Sequence, residues 1–481
     1  MRHFLIAIVI ALFVSTGVYV SLGGNASDQP SFAQPQTAAA EPQANAAPGG
    51  VTGQTPAATS AQAPAPAPSP TPSPQYVIQY PEDPVVHLNS AADLTAFVRP
   101  RDRSKDPKRD PGPIPVPPGV PTFFRAPIAL TPEDLKAGKV DVAFLGAPLD
   151  MGSGMRGAGW GPRGLRAWDP RPGGYGGPAD APPPTTTTQA GGPPAANVST
   201  SQGAATPPNP SSGSPNMHVM LDPFQVLNIV DYGDAPIDNM STERTMEPVR
   251  AKVREIAATG TIPFIVGGDH SLEYANVAGL ADVHGKGNIG VIHFDSHFDA
   301  SPLRGAHLIS HGQPVRRVVD EGHVLGKNYI QVGLRGYYPN EEGFRWMRQQ
   351  GFRYHTMAEV DRNGWDAVMK RVIAEALDGP EKLHLSFDID VIDPAYAPGT
   401  GTPEPGGVTP REMFPLVRNL CALKNVVGMD LVEVAPRLDP GYVTLLVANR
   451  ILKECLTGIA MRRRGLTEPN YLSPLVVDWR P

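Results

Sequence analysis

One ten-residue stretch limits the folds open to this chain more than any other: Gly290–Val291–Ile292–His293–Phe294–Asp295–Ser296–His297–Phe298–Asp299. A mostly apolar run of this length reads as a buried strand. It ends in three potential ligands, Asp295, His297 and Asp299. With a spacing of two they share one side, provided the strand conformation continues that far. Two carboxylates and an imidazole on one side of a buried strand end are costly without a partner, and a cation is the natural one.

Other apolar runs have the same character. Val140–Gly146, Val226–Val230, Ile262–Val266, Tyr329–Leu334, Leu383–Phe387 and Val426–Val434 read as strands. Helical spacing runs through Thr245–Ala258, Leu272–Val283, Gln313–Glu321, Glu342–Gln350, Trp365–Leu377, Pro410–Leu423 and Gly441–Thr457. Strand–helix alternation predicts an α/β fold, a mostly parallel sheet covered on both faces. In such sheets ligands collect beyond the C-terminal strand ends, and the polar motifs fall there repeatedly. His270 follows the strand from Ile262, Asp388 and Asp390 follow that from Leu383, and Glu433 lies near the end of that from Val426. A Gly-rich loop, Ala147–Gly154, follows the first strand.

His270, Asp295, His297, Asp299, Asp388 and Asp390 together make four carboxylates and two imidazoles. That is too much negative charge for one Mg²⁺ or Ca²⁺ of usual design. It suits two divalent ions bridged by carboxylates. Oxygen and imidazole donors without sulfur favour Mn²⁺, with Fe, Co, Ni or Zn as alternatives. Two metals about 3.5–4 Å apart generate a hydroxide and hold the group it attacks, so metal-assisted hydrolysis is the expected chemistry.

Composition confines the folded part. The 56 prolines and 50 glycines among 481 residues are clustered. Residues 27–120 read as a Pro/Ala-rich linker and 170–216 as a low-complexity insertion, because neither can bury enough apolar surface to offset its ordering entropy. The catalytic domain is expected over 121–481 around that insertion. Residues 1–26, with a basic start, an apolar core and small residues, read as a cleaved export signal, with an uncleaved membrane anchor as the alternative. The protein is then exported or tethered to a membrane. Net charge is −6, and the one short basic run, Arg462–Arg463–Arg464, reads as a solvated surface, so nothing suggests nucleic acid. Cys421 and Cys455 could pair after export, but they are read first as two buried thiols.

Three motifs carry a resemblance: Gly267–Gly268–Asp269–His270–Ser271, Asp295–Ser296–His297–Phe298–Asp299, and Ser386–Phe387–Asp388–Ile389–Asp390–Val391–Ile392–Asp393–Pro394. In order and spacing they resemble the signature motifs of the ureohydrolase family, which contains arginases and agmatinases. The resemblance implies a three-layer α/β/α sandwich, two Mn²⁺ per subunit, a trimer or hexamer, and hydrolysis of a guanidino group to urea and an amine. It implies that His270 and Asp299 bind one metal, His297 and Asp390 the other, and that Asp295 and Asp388 bridge them. His311, in Ser310–His311–Gly312–Gln313–Pro314, matches the family's proton-shuttling histidine. Glu433 matches the acid that holds the guanidinium. His293 and His384 are read as packing or supporting groups, and Asp269 as a residue that orients His270.

For the substrate, Gly333–Leu334–Arg335–Gly336–Tyr337–Tyr338 has tyrosines where arginases place an acid. Ala397–Pro398–Gly399–Thr400–Gly401–Thr402–Pro403–Glu404 resembles the agmatinase branch. Agmatine is therefore the first expectation, ahead of guanidinobutyrate, guanidinopropionate, guanidine and arginine. A non-catalytic binder and an envelope scaffold are the rival classes.

Overall fold

Eight strands form one sheet: β1 (Val142–Ala147), β2 (Ile229–Asp234), β3 (Ile262–Gly267), β4 (Ile289–Phe294), β5 (Tyr329–Leu334), β6 (Arg353–Thr356), β7 (Lys382–Asp388) and β8 (Asn425–Val432). Their order is β2-β1-β3-β8-β7-β4-β5-β6, and every pairing is parallel. The computed structural model describes residues 111–116, 120–168, 215–302 and 307–478. Residues 1–26, read as an export signal, nearly all of 27–120, read as a linker, and nearly all of 170–216, read as an insertion, lie outside the described residues. Ile114, within the stretch read as linker, bridges antiparallel to Ile128.

The core explains the layers. Side chains alternate along each strand, so Val142 and Phe144 pack on one face while Ala143 and Leu145 pack on the other. The first face carries the helices Gly161–Ala167, Trp365–Asp378, Pro410–Leu423 and Val443–Arg463, through Leu165, Val368, Leu420 and Ile451. The second carries Thr242–Ala257, Leu272–His284, Pro314–Asp320 and Glu341–Gln350, through Val249, Val277, Val318 and Met347. This is the sheet covered on both faces that the alternation predicts, and the three-layer α/β/α sandwich that the resemblance implies. Helix starts are fixed locally: Thr409 and Glu412 form a capping box, and Ser241 and Asn340 accept from the first turns of their helices.

Two differences from the sequence reading have plain causes. β6 was not expected, because it is a four-residue edge strand in which only His355 is buried, so it lacks an apolar run. Cys421 and Cys455 are not thiols. They form a disulfide with Cα atoms 5.3 Å apart, both fully buried, joining helix Pro410–Leu423 to helix Val443–Arg463. Two cysteines 34 residues apart say nothing about pairing; the packing of the two helices brings them within reach. Among the described residues, no helix is long and apolar enough to cross a membrane.

Candidate metal centre and active site

Four strand ends build the site. After β3 the chain passes Gly268, where a Cβ would meet the Leu149 carbonyl oxygen at 1.7 Å. Only glycine allows the Gly-rich loop to cross so closely. Asp269 accepts from Ser153 N–H (3.1 Å) and from Ser271. It thus braces that loop rather than orienting the His270 ring. The β4 strand stops at Phe294, so the ligands beyond it do not share a face by strand alternation. They converge through a loop in which Asp299 adopts φ 44°. Glu433, directly after β8, adopts φ 59°. Non-glycine residues rarely take such left-handed backbone, and it clusters where function constrains the chain.

His270 Nδ1 lies 3.0 Å from Asp295 Oδ2, 3.1 Å from Asp299 Oδ2 and 3.2 Å from Asp388 Oδ2. A second group forms beside it, with His297 Nδ1 2.9 Å from Asp390 Oδ2 and 3.5 Å from Asp295 Oδ1. Asp295 thus turns one oxygen to each group. Asp388 offers Oδ2 to the first group, while its Oδ1 accepts the Asp390 N–H at 2.8 Å. Ser296 fixes Asp390 by donating from its backbone and its hydroxyl to Oδ1 (3.1 and 2.8 Å).

The residues fit a pair of divalent cations. His270 Nδ1 and Asp390 Oδ2 are buried and lack a hydrogen-bond partner despite their close neighbours. Donor atoms crowded about 3 Å apart without hydrogen-bond geometry are what a shared cation requires. The tautomer agrees. His270 Nε2 is 3.0 Å from Ser386 Oγ, whose hydroxyl donates to Asp430 Oδ1 at 2.8 Å. Nε2 must therefore carry the proton, leaving the Nδ1 lone pair toward the carboxylates.

Electrostatics point the same way. Burial, with Asp390 and Asp295 close by, holds Asp388 well above the usual carboxylate range. Burial and Asp295 also push Asp299 up. Burial opposes ionisation of Asp295, yet its histidine neighbours, His270, His293 and His297, hold it well below the ordinary range. His297, despite burial, is pushed up to about 12 by Asp390 and Asp295. Such a cluster demands positive charge.

Outside the cluster opens a cavity of about 710 Å³, lined by His297, Asp299 and His311 within and by Arg156, Tyr337, Tyr338 and Glu404 nearer the mouth. His311 Nδ1 lies 3.5 Å from Glu433 Oε1. Burial disfavours its charge, but Glu433 and Asp299 outweigh this and raise it. Glu433 is buried behind His311 and accepts the His270 N–H at 2.9 Å. Its Oε2 has no partner.

All six expected ligands, with His311 and Glu433, come together here. Sequence reasoning missed Glu273, Asn276, Tyr329, Ser386 and Asp430, which back the ligands from behind. One signal was available: Asp430 is a charge in an apolar strand and Glu273 a charge in an apolar helix, and such charges are rarely idle.

The comparisons agree with this geometry. The arginase family model matches residues 191–458. The mitochondrial guanidino acid hydrolase of Homo sapiens is 34% identical over 346 residues, 71% of this chain and 84% of that protein. The mitochondrial agmatinase of Gallus gallus is 35% identical over 343 residues, covering 71% and 86%. A solved structure of a hypothetical agmatinase from Burkholderia thailandensis has a TM-score of 0.56 at 29% identity, covering 72% of this chain and 92% of that one. The chain belongs to the arginase family, whose members carry a binuclear metal centre. It is a hydrolase acting on the C–N bonds of guanidino compounds.

Proposed function

We propose that this hydrolase cleaves agmatine to putrescine and urea at a site holding two Mn²⁺ ions. His270, Asp299 and Asp388 would hold one ion and His297 and Asp390 the other, with Asp295 offering one oxygen to each group. When bound, such a pair supplies charge stabilisation and an activated water. The protein's own groups do the rest. His311, on the cavity wall, delivers a proton to the leaving amine. Glu433 orients His311 through Oε1, and its unpartnered Oε2 offers an acceptor to a guanidinium N–H. Glu404, half-buried at the mouth with no hydrogen bond to its carboxylate among the described residues, suits agmatine's ammonium.

One observation carries this reading: the orphaned His270 Nδ1 facing three carboxylate oxygens at 3.0–3.2 Å. A second substrate reading rests on Arg156. It lines the same cavity, and its stem packs against Gly401. Its guanidinium makes no ion pair among the described residues, so it would suit the carboxylate of a guanidino acid. Urea release from agmatine, guanidinobutyrate, guanidinopropionate, arginine and guanidine, measured with metal content, tests both. Urea from none of them, with two Mn²⁺ bound, sinks the leading reading. Preference for guanidinobutyrate, lost in Arg156→Ala, favours the second.

Export is part of the proposal. The leader-like N-terminus and the buried Cys421–Cys455 disulfide both suit an oxidising compartment. Cell fractionation decides between a released and a tethered form, and sedimentation tests the expected trimer or hexamer.

A further inference from the structure

Behind Asp295 lies a chain of buried polar groups that the proposed reaction does not use. Glu273, in the first turn of helix Leu272–His284, is fully buried, as are His293 in β4 and Tyr329 at the start of β5. Glu273 Oε1 accepts the Tyr329 hydroxyl and lies 3.3 Å from His293 Nδ1. Its Oε2 lies 3.2 Å from the same nitrogen and makes no hydrogen bond of its own. His293 Nε2 lies 2.9 Å from Asp295 Oδ2, the oxygen turned toward His270. The His293 ring stacks on that of His270, with centroids 4.7 Å apart and planes 4° from parallel.

A carboxylate can only accept, so the contact with Asp295 requires His293 to donate from Nε2. Imidazole orientation is set by what holds its other nitrogen, and here that is the Glu273 carboxylate together with the Tyr329 hydroxyl, which lies 3.1 Å from Nδ1 and itself donates to Glu273. On its other side Asp295 Oδ1 takes the His297 N–H at 2.6 Å. The carboxylate plane is thus pinned at both oxygens, one per ligand group. A buried carboxylate is expensive to keep for packing alone, since an apolar side chain of similar volume would do that at lower cost.

We propose that Glu273, acting through His293, positions the Asp295 carboxylate so that each of its oxygens serves a different metal. Glu273 and His293 are positioning residues, and the inference rests on the reading that the site holds two divalent ions. The alternative is a core ion pair that supports folding and nothing else.

Mn²⁺ affinity of the full-length protein separates the two, with the thermal unfolding midpoint of the metal-free form measured in parallel. Glu273→Leu and His293→Phe should weaken binding of at least one Mn²⁺ by roughly 10–100-fold, the usual cost of losing such a supporting group. Glu273→Gln, which keeps an acceptor facing His293 Nδ1, should retain wild-type affinity. Unchanged affinity in Glu273→Leu overturns the inference, whatever happens to the unfolding midpoint. So does a loss in His293→Phe that Glu273→Leu does not share. If His293→Phe does not fold, the two Glu273 variants carry the test. Wild-type protein that binds no Mn²⁺ pair overturns the two-metal reading and this inference together. Wild type that binds two, beside a Glu273→Leu variant that binds them equally well, overturns this inference alone.

Discussion

Two buried clusters of charge in this protein use the same kinds of groups and reach opposite states. Around Glu454, every acceptor meets a donor. Asn216 Nδ2 reaches both carboxylate oxygens (3.1 and 3.0 Å), Arg450 Nε reaches Oε1 at 2.6 Å and Arg418 Nη1 reaches Oε2 at 2.5 Å. Around His270, three carboxylates crowd one nitrogen that offers no proton. The first cluster is complete as it stands. The second is complete only with cations. A buried acid whose acceptors are all met is therefore no sign of a missing cation; the mismatch between donors and acceptors is.

Asp388→Asn should show the largest effect. Losing a ligand removes several kcal/mol of charge stabilisation, so kcat should fall on the order of 10³-fold. In the metal-free protein the same change should stabilise the fold by roughly 1 kcal/mol, as relief of a strained functional site commonly does. The sign follows from Asp388 being held above its ordinary pKa, so ionising it costs folded stability once the pH exceeds the unfolded value. Calorimetry of chelated wild type and variant checks this, and a destabilised variant would break the contrast.

Glu454→Gln should do the reverse. It breaks a matched buried cluster at about 3–5 kcal/mol of stability, while turnover per folded molecule stays unchanged. Denaturant unfolding beside active-site titration reads both. A large loss of turnover here would erase the distinction between the clusters.

Opening the disulfide next to Glu454 should cost roughly 3–4 kcal/mol, from the entropy of a loop of 34 residues. Cys421→Ser with Cys455→Ser, compared with wild type with and without reductant, measures it. The smallest effect belongs to the surface. Asp282 accepts twice from Arg250 (2.8 and 2.7 Å), and this holds its carboxyl below the ordinary range although burial opposes it. Its contribution is present above the unfolded carboxylate pKa and fades as pH falls through the folded one. Solvent screening limits it to less than about 1 kcal/mol, and Asp282→Asn should flatten the acid limb of the stability curve by that much.

Much of this was legible in the residues. Central parallel strands are buried on both faces, so β1, β3, β4, β7 and β8 appear as continuous apolar runs. The motifs at their ends announce the ligands. β6 was illegible because a short edge strand needs no such run. The grouping of the ligands was legible only as chemistry: two imidazoles and four carboxylates imply cations, whatever their arrangement.

The sequence alone thus determined the alternation of strand and helix, the set of candidate ligands and the need for positive charge. These depend on local periodicity and on residue chemistry. Tertiary structure decided the rest. Strand order places β8 between β3 and β7, which sets Glu433 beside His270 and Asp430 beneath Ser386. Helix packing joined Cys421 to Cys455. The loop after Phe294, not strand alternation, turned Asp295 toward both ligand groups. Each of these joins residues far apart in the chain, and local propensity carries no information about which distant strands and helices will pack together.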